Sequence, residues 1–259
     1  MRIAIISDIH GNLVALEAVL NDLKTEHIDR IVCLGDVVSG GPQPGEVIAH
    51  LKTLNAPVVM GNMDTWCLNP QPGEGNSKNA KLGDEVQLWG VRKLSPEDLD
   101  YMRTFQATVD IPLDATTSFL CFHGSPHSNE DVIVSTTPDE EMERMLSGCR
   151  AMVFAGGHTH TQMIRYHADS TIVNPGSVGA PIHAYERIRR VTQRPLSDLP
   201  DRQYPPWAEY GVVAWENRSL RIELHRVPID IDLLLKKTHE SGMPHADWWL
   251  CSRYGDLLK

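Results

Sequence analysis

A pattern that recurs along this chain constrains its fold more than anything else: a short apolar run stops abruptly in a turn bearing Asp, His or Asn beside glycine. The first instance is Ile3-Ala4-Ile5-Ile6 followed by Ser7-Asp8-Ile9-His10-Gly11-Asn12. Four apolar residues in succession describe a strand buried on both faces. Asp8 and His10 are two apart, so on an extended segment they point to one side. A carboxylate and an imidazole aimed together suit a transition metal, and equally suit a buried Asp–His hydrogen bond. Recurrence favours the metal. Arg30 to Leu34 runs into Gly35-Asp36, Pro57 to Met60 into Gly61-Asn62-Met63-Asp64, Thr117 to Phe122 into His123-Gly124-Ser125, and Ala151 to Ala155 into Gly156-Gly157-His158-Thr159-His160.

Helical patterns separate the early strands. Leu13, Leu16, Leu20 and Leu23 trace one helical face, and Val47, Ile48, Leu51 and Leu54 another behind Pro44. Strand–helix–strand alternation implies parallel pairing with right-handed crossovers, which gathers the polar turns at one sheet edge. Residues 69–83 lack periodicity and read as a loop. Ser95-Pro96-Glu97-Asp98 caps a helix, and Thr137-Pro138-Asp139-Glu140 reads as a capping box before another. Thr108 to Pro112 is a further strand. Leu220, Ile222 and Leu224 alternate with Arg221, Glu223 and His225, a half-buried antiparallel strand facing Gly211 to Trp215. Between lies an irregular insert, 184–207, with Arg187, Arg189, Arg190 and Arg194. From Asp230 the chain reads as a helical extension in which Trp248 and Trp249 pack. The whole of 1–259 is read as one domain.

Composition narrows the class. A net charge of −10 argues against nucleic acid or an anionic membrane as the main partner. It leaves room for a small phosphorylated substrate held by metal ions, which bring their own charge. No apolar run approaches the ~18 residues of a membrane span, and Met1-Arg2 leads directly into a strand rather than a signal peptide. The five cysteines include no CxxC pair, and Cys33 and Cys121 lie inside apolar runs, as buried reduced thiols do. These features point to the cytoplasm; oligomeric state is not legible.

Together the turns supply Asp8, His10, Asp36, Asn62, His123, His158 and His160. Imidazole, carboxylate and carboxamide oxygen suit Mn, Fe, Ni or Zn. Seven donors are too many for one tetrahedral zinc and suit two divalent ions that share a bridge. Two such ions, roughly 3.5–4 Å apart, can activate a bridging hydroxide and clamp the oxygens of an in-line displacement at phosphorus. His158 and His160 can face different ions if their turn is irregular.

The ordered set Asp8-Ile9-His10, Gly35-Asp36, Gly61-Asn62, His123-Gly124 and Gly157-His158-Thr159-His160 resembles the five motifs of the calcineurin-like metallophosphoesterases. The spacing, with Asn174-Pro175-Gly176-Ser177-Val178-Gly179, is similar to the small bacterial and archaeal phosphodiesterase branch, over roughly residues 1 to 182. The resemblance implies an α/β fold, a four-layer α-β-β-α sandwich of two mixed β-sheets flanked by helices. It implies that Asp8, His10 and His160 hold one metal, that Asn62, His123 and His158 hold a second, and that Asp36 bridges them. It also implies catalytic roles for Asn62, Asp64 and His123. Two departures stand out. Members with strong monoesterase activity usually carry a histidine, as general acid, where this chain has Met63; His127 and His183 are candidates to replace it. Protein phosphatases and dinucleoside-tetraphosphate hydrolases place a phosphate-gripping arginine after Gly35-Asp36, where this chain has Val37-Val38-Ser39-Gly40-Gly41. Arg189 and Arg190 in the insert are candidates for that grip. The expected function is a dinuclear-metal phosphodiesterase. A phosphomonoesterase or nucleotide phosphatase, or a scaffold of the same fold that binds partners, are the alternatives.

Overall fold

A computed structural model of the chain describes residues 1–71, 73, 75–182 and 205–255. Two mixed sheets lie back to back. The first has the order β2-β1-β8-β9, built from β1 (Arg2–Ile6), β2 (Arg30–Cys33), β8 (Trp207–Glu216) and β9 (Ser219–Pro228). The second has the order β3-β4-β5-β7-β6, from β3 (Val109–Pro112), β4 (Ser118–Cys121), β5 (Val153–Ala155), β6 (Met163–His167) and β7 (Ser170–Asn174). β1 pairs parallel with β2 and antiparallel with β8; β5 pairs parallel with both β4 and β7.

Side-chain alternation along β1 accounts for the layering. Ile3 and Ile5 join Val32, Leu34, Phe119, Cys121, Val153 and Val173 in a core between the sheets. Ala4 and Ile6 face the other way, onto α1 (Leu13–Leu23) and α2 (Pro44–Leu54). Beyond the second sheet, Phe122, Phe154 and Ile172 pack on Met142 and Met145 of α6 (Asp139–Met145). A strand buried on both faces thus reads as the unbroken apolar run at the start of the chain. The β8–β9 hairpin pairs Gly211 with Leu224 and Val213 with Ile222, the register that the alternation in β9 predicts.

Four local expectations need correction. Pro57 to Met60 is not a strand: only Val58 and Val59 find isolated bridge partners, Cys33 and Gln106, and Pro57 has no N–H to extend a ladder. Residues 78–83 belong to a helix, because Ser77 accepts the Ala80 N–H and starts α4 (Lys78–Arg92); α3 (Asn62–Leu68) and α5 (Pro96–Met102) flank it. Thr137 turns its hydroxyl back to the Val134 N–H, so Pro138 stands at the N-cap of α6 and there is no capping box. Trp207, assigned to the insert, opens β8. The rest of that insert through residue 204, with Arg187, Arg189, Arg190 and Arg194, and also His183, lies outside the described residues. Asp230 caps α7 (Ile231–Glu240) by accepting the Leu233 N–H, and α8 (Ala246–Tyr254) follows. Among the described residues no helix is long and apolar enough to cross a membrane.

Candidate metal centre

The polar turns of both sheets, rather than of one, meet at a shared edge. The Asp8 and His10 N–H groups donate to Gly35 and Asp36 carbonyls, and the Val178 and Gly179 N–H groups donate to Ser7 and Asp8 carbonyls. The His158 N–H reaches across the sheets to Asp8 Oδ2 at 3.2 Å. Close approach demands glycine at two of these crossings. A Cβ on Gly61 would collide with the Asp36 backbone and carboxylate, and one on Gly157 with the Ser7 hydroxyl.

The turns are not extended. Asp8, His10, Asp36, His158 and His160 all have positive φ, at 53°, 50°, 55°, 63° and 54°. Left-handed backbone costs a non-glycine residue roughly 1–2 kcal/mol, so five such residues at one locus concentrate strain where function is expected. Asp8 and His10 therefore converge through a coiled turn beyond the end of β1, not through the period-2 geometry of a strand. The irregular turn also lets His158 and His160 diverge.

Two groups of donor atoms result. In the first, ligand atoms from Asp8, His10, Asp36 and His160 all lie within 4.8 Å of one another. In the second, Asn62 Oδ1 sits 3.0 Å from His123 Nε2 and 3.0 Å from His158 Nδ1. Asp36 belongs to both: Oδ2 faces His10 Nε2 at 3.8 Å, and Oδ1 faces His123 Nε2 at 3.5 Å. It is 2% exposed, and Oδ1 also accepts the Met63 N–H at 2.8 Å.

Hydrogen bonds behind the rings fix their tautomers. His10 Nδ1 donates to the Ser39 carbonyl, His123 Nδ1 to the Leu34 carbonyl and His160 Nδ1 to the Ala180 carbonyl, at 2.9, 2.7 and 2.7 Å. A carbonyl only accepts, so Nδ1 carries a proton in each ring and Nε2 is the nitrogen left to ligate a cation, which would take the place of any second proton there. His10 Nε2 and His160 Nε2 then face each other at 3.1 Å, and Asp8 Oδ1 lies 3.1 Å from His160 Nε2. Asp8 Oδ1 is buried without a hydrogen-bond partner, while Oδ2 takes the Ser7 hydroxyl at 2.6 Å. Lone pairs at such distances repel unless a cation lies among them. The donor set fits a divalent metal ion.

The charges respond accordingly. Burial alone would raise Asp8, yet the adjoining His160 ring, with His123 and His10, outweighs it and holds the carboxyl below the usual carboxylate range. Burial opposes charge on His123, but Asp36, with Asp8 and the Leu34 carbonyl, more than offsets it and lifts the ring from 6.5 to about 10. His158 is lowered to about 4, by burial and then by the charge on His123.

The expected site residues do not all share one cavity. A cleft of about 220 Å³ is lined by His10, Asp36, Asn62, His158 and His160, together with Met63, Gln87, Trp249 and Arg253. Asp8 and His123 lie beneath it. Asp64 is fully buried and accepts the Asp36, Val37 and Gly61 N–H groups at 2.8, 2.9 and 3.0 Å. It ties two turns together from behind the cleft. His127 is exposed and bound to the Ser147 carbonyl at 2.8 Å, away from the cleft. Sequence reasoning missed Gln87, Trp249 and Arg253, since nothing local distinguishes a helical residue that packs from one that packs beside a site. Asn174 to Gly179 did carry a signal: Ser177 Oγ donates to the Asp8 carbonyl and accepts the N–H of Ala180, whose carbonyl holds His160.

Residues 1–192 match the family model of the calcineurin-like phosphoesterase superfamily domain. The chain belongs to that superfamily. Metal-dependent phosphoric ester hydrolysis is the chemistry that membership suggests, and the cluster of Asp8, His10, Asp36 and His160 could hold a metal ion. The chain is 26% identical over 266 residues to the uncharacterized protein MJ0912 of Methanocaldococcus jannaschii, covering 97% of this chain and 96% of that one. It is similar in structure to a metallophosphoesterase from Sphaerobacter thermophilus, with TM-score 0.68, 25% identity, and 97% and 99% of the two chains covered. The hypothetical protein PH1004 from Pyrococcus horikoshii OT3 shares the fold, with TM-score 0.73, 20% identity, and 98% of each chain covered.

Proposed function

We propose that this protein is a phosphodiesterase that uses two divalent transition-metal ions, Mn, Fe, Ni or Zn, to hydrolyse a P–O bond in a small phosphorylated substrate. One observation carries the reading: the two oxygens of buried Asp36 face two separate donor groups. Asp8, His10 and His160 would hold the first ion, Asn62, His123 and His158 the second, and Asp36 would bridge them. When bound, such ions supply Lewis acidity toward phosphoryl oxygen and lower the pKa of water. The carbonyls of Ser39, Leu34 and Ala180 keep His10, His123 and His160 in the ligating tautomer. Asn62, which lines the cleft, would sit against the reacting phosphoryl group, while His123, beneath it, would act through the ion it holds. Asp64 is better understood as a positioning residue, because all its contacts run to the backbone of the Asp36 and Gly61 turns.

Met63 favours the diester over the monoester. It lines the cleft where a general acid would stand, and a thioether has no proton to give. The enzyme then depends on leaving groups that are stable as anions. Buried thiols at Cys33, Cys67 and Cys121 are compatible with the reducing cytoplasm, where we place the protein. The test pairs metal analysis with turnover. Purified protein reconstituted with Mn should carry two equivalents and cleave bis(p-nitrophenyl) phosphate in preference to p-nitrophenyl phosphate. One equivalent at saturation, or efficient alkyl-monoester hydrolysis, overturns the assignment.

A further inference from the structure

Arg253 lies far from every metal-binding motif in sequence, yet it lines the cleft beside His10, Asp36, His158 and His160. Three contacts put it there. Leu250 and Tyr254, 2% and 1% exposed, bury one side of α8 in the helix-side core. Trp249 Nε1 donates to the Gly40 carbonyl at 2.6 Å, which ties α8 to the loop following Asp36. Arg253 is four residues beyond Trp249 and so on the same helical face, and its guanidinium carbon stands 4.6 Å from the centre of the indole ring. Its Nη1 also donates to Ser252 Oγ at 3.3 Å. Stacking on an indole restricts a guanidinium to a plane, the geometry that suits two-point recognition of an oxyanion.

The cleft has a need for such a group. No arginine follows Gly35-Asp36, and Val37 and Val38 in that stretch are buried. Among the described lining residues, Arg253 is the only lysine or arginine. Trp249, at 2% exposure, is too covered to serve as a stacking surface for a nucleobase. A cleft of about 220 Å³, as bounded by the described residues, is smaller than the 300–1,000 Å³ typical of pockets for drug-sized ligands.

We propose that Arg253, delivered by the C-terminal helix and oriented by Trp249, grips the non-bridging phosphoryl oxygens of the substrate. The site then recognises the phosphate and a small substituent rather than a stacked base. The proposal deepens the phosphodiesterase reading and rests on it for the identity of the substrate. Its test does not, because the probe is inorganic phosphate.

Mn-loaded wild type and the Arg253→Met variant are titrated with inorganic phosphate by calorimetry. Their steady-state constants for bis(p-nitrophenyl) phosphate, Mn content and Tm are measured alongside. A charge-assisted hydrogen bond contributes ~1.5–3 kcal/mol, so phosphate affinity should fall and KM rise by roughly 10–100-fold. kcat should stay within about threefold and Mn content should not change. Arg253→Gln serves if the Met variant melts early, and Arg253→Lys should recover part of the affinity. A loss of phosphate affinity below about threefold in a folded neutral variant overturns the proposal. If the wild type cleaves no ester while Arg253→Met still loses phosphate affinity, the phosphodiesterase reading fails and the role of Arg253 stands. If the enzyme is active and its phosphate affinity does not depend on Arg253, the proposal fails and the phosphodiesterase reading stands.

Discussion

Replacing Asp36 by asparagine isolates the charge at the centre of the site. The change is nearly isosteric. Asparagine tolerates the left-handed φ of 55°, and its carbonyl oxygen can still accept the Met63 N–H. The turn should therefore keep its shape while losing one unit of negative charge that faces both donor groups. Two unit charges about 4 Å apart interact by ~4 kcal/mol at an effective dielectric of 20. The loss per divalent ion should be at least of that order, or about 10³ in affinity. His123 responds as well. Asp36 is the largest influence raising it against burial, so its pKa should drop from about 10 once that charge is gone. The assay is Mn titration with calorimetry, then turnover of bis(p-nitrophenyl) phosphate across Mn concentrations, with Tm of the metal-free protein as a control. Expected are a folded metal-free protein whose Tm falls because the Asp36–His123 pairing is lost, occupancy below two equivalents and loss of nearly all turnover. Near-normal turnover with both ions bound at saturating Mn would refute the bridging role.

Neighbouring residues make further tests possible. Met63→His should restore a proton donor, lift alkyl-monoester turnover by up to the ~10²–10⁴ typical of general acids, and flatten the dependence of rate on leaving-group pKa; an unchanged slope would show that another acid already operates. Asp64→Asn puts an amide among three N–H donors, so one buried donor loses its partner at a cost of ~1–3 kcal/mol; chemical denaturation should show it, and wild-type stability would make those bonds expendable. His158 sets an acid limit for the metal-free protein. Its folded pKa, about 4, lies below the ordinary 6.5, so the unfolded chain binds more protons between these values and stability falls as pH drops through that window. Urea melts of chelator-stripped protein at pH 7 and pH 4 should differ through this group by on the order of 3 kcal/mol, and His158→Gln should shrink the difference. Gly61→Ala should displace Asp36 and abolish tight Mn binding even where the protein still folds, since the added Cβ meets the Asp36 carboxylate.

The sequence alone determined the pieces that depend on short-range physics. A four-residue apolar run can only be a doubly buried strand or a helix fragment, and the abrupt switch to Asp, His and glycine marks where it leaves the core; hence β1 and its turn were legible. Alternation in β9 and the capping box at Ser95 were legible for the same reason. Tertiary structure decided what needs distance. The seven donors come from two sheets, and only the packing of Ile3 and Ile5 against Phe119 and Val173 brings those sheets' polar edges together. Left-handed backbone at Asp8, His10, Asp36, His158 and His160 has only a weak local signature, because Asp and His enter it more often than most residues yet still rarely without tertiary constraint. The family resemblance gave Asp64 a catalytic role, whereas the fold buries it and turns its oxygens to three backbone N–H groups, since whether a carboxylate meets solvent or backbone depends on what packs over it. Arg253 is the extreme case: it lies 217 positions from Asp36, on a helix whose own sequence says only that it is apolar on one side. Its place at the cleft is set by where α8 docks, which is a property of the core and not of the helix.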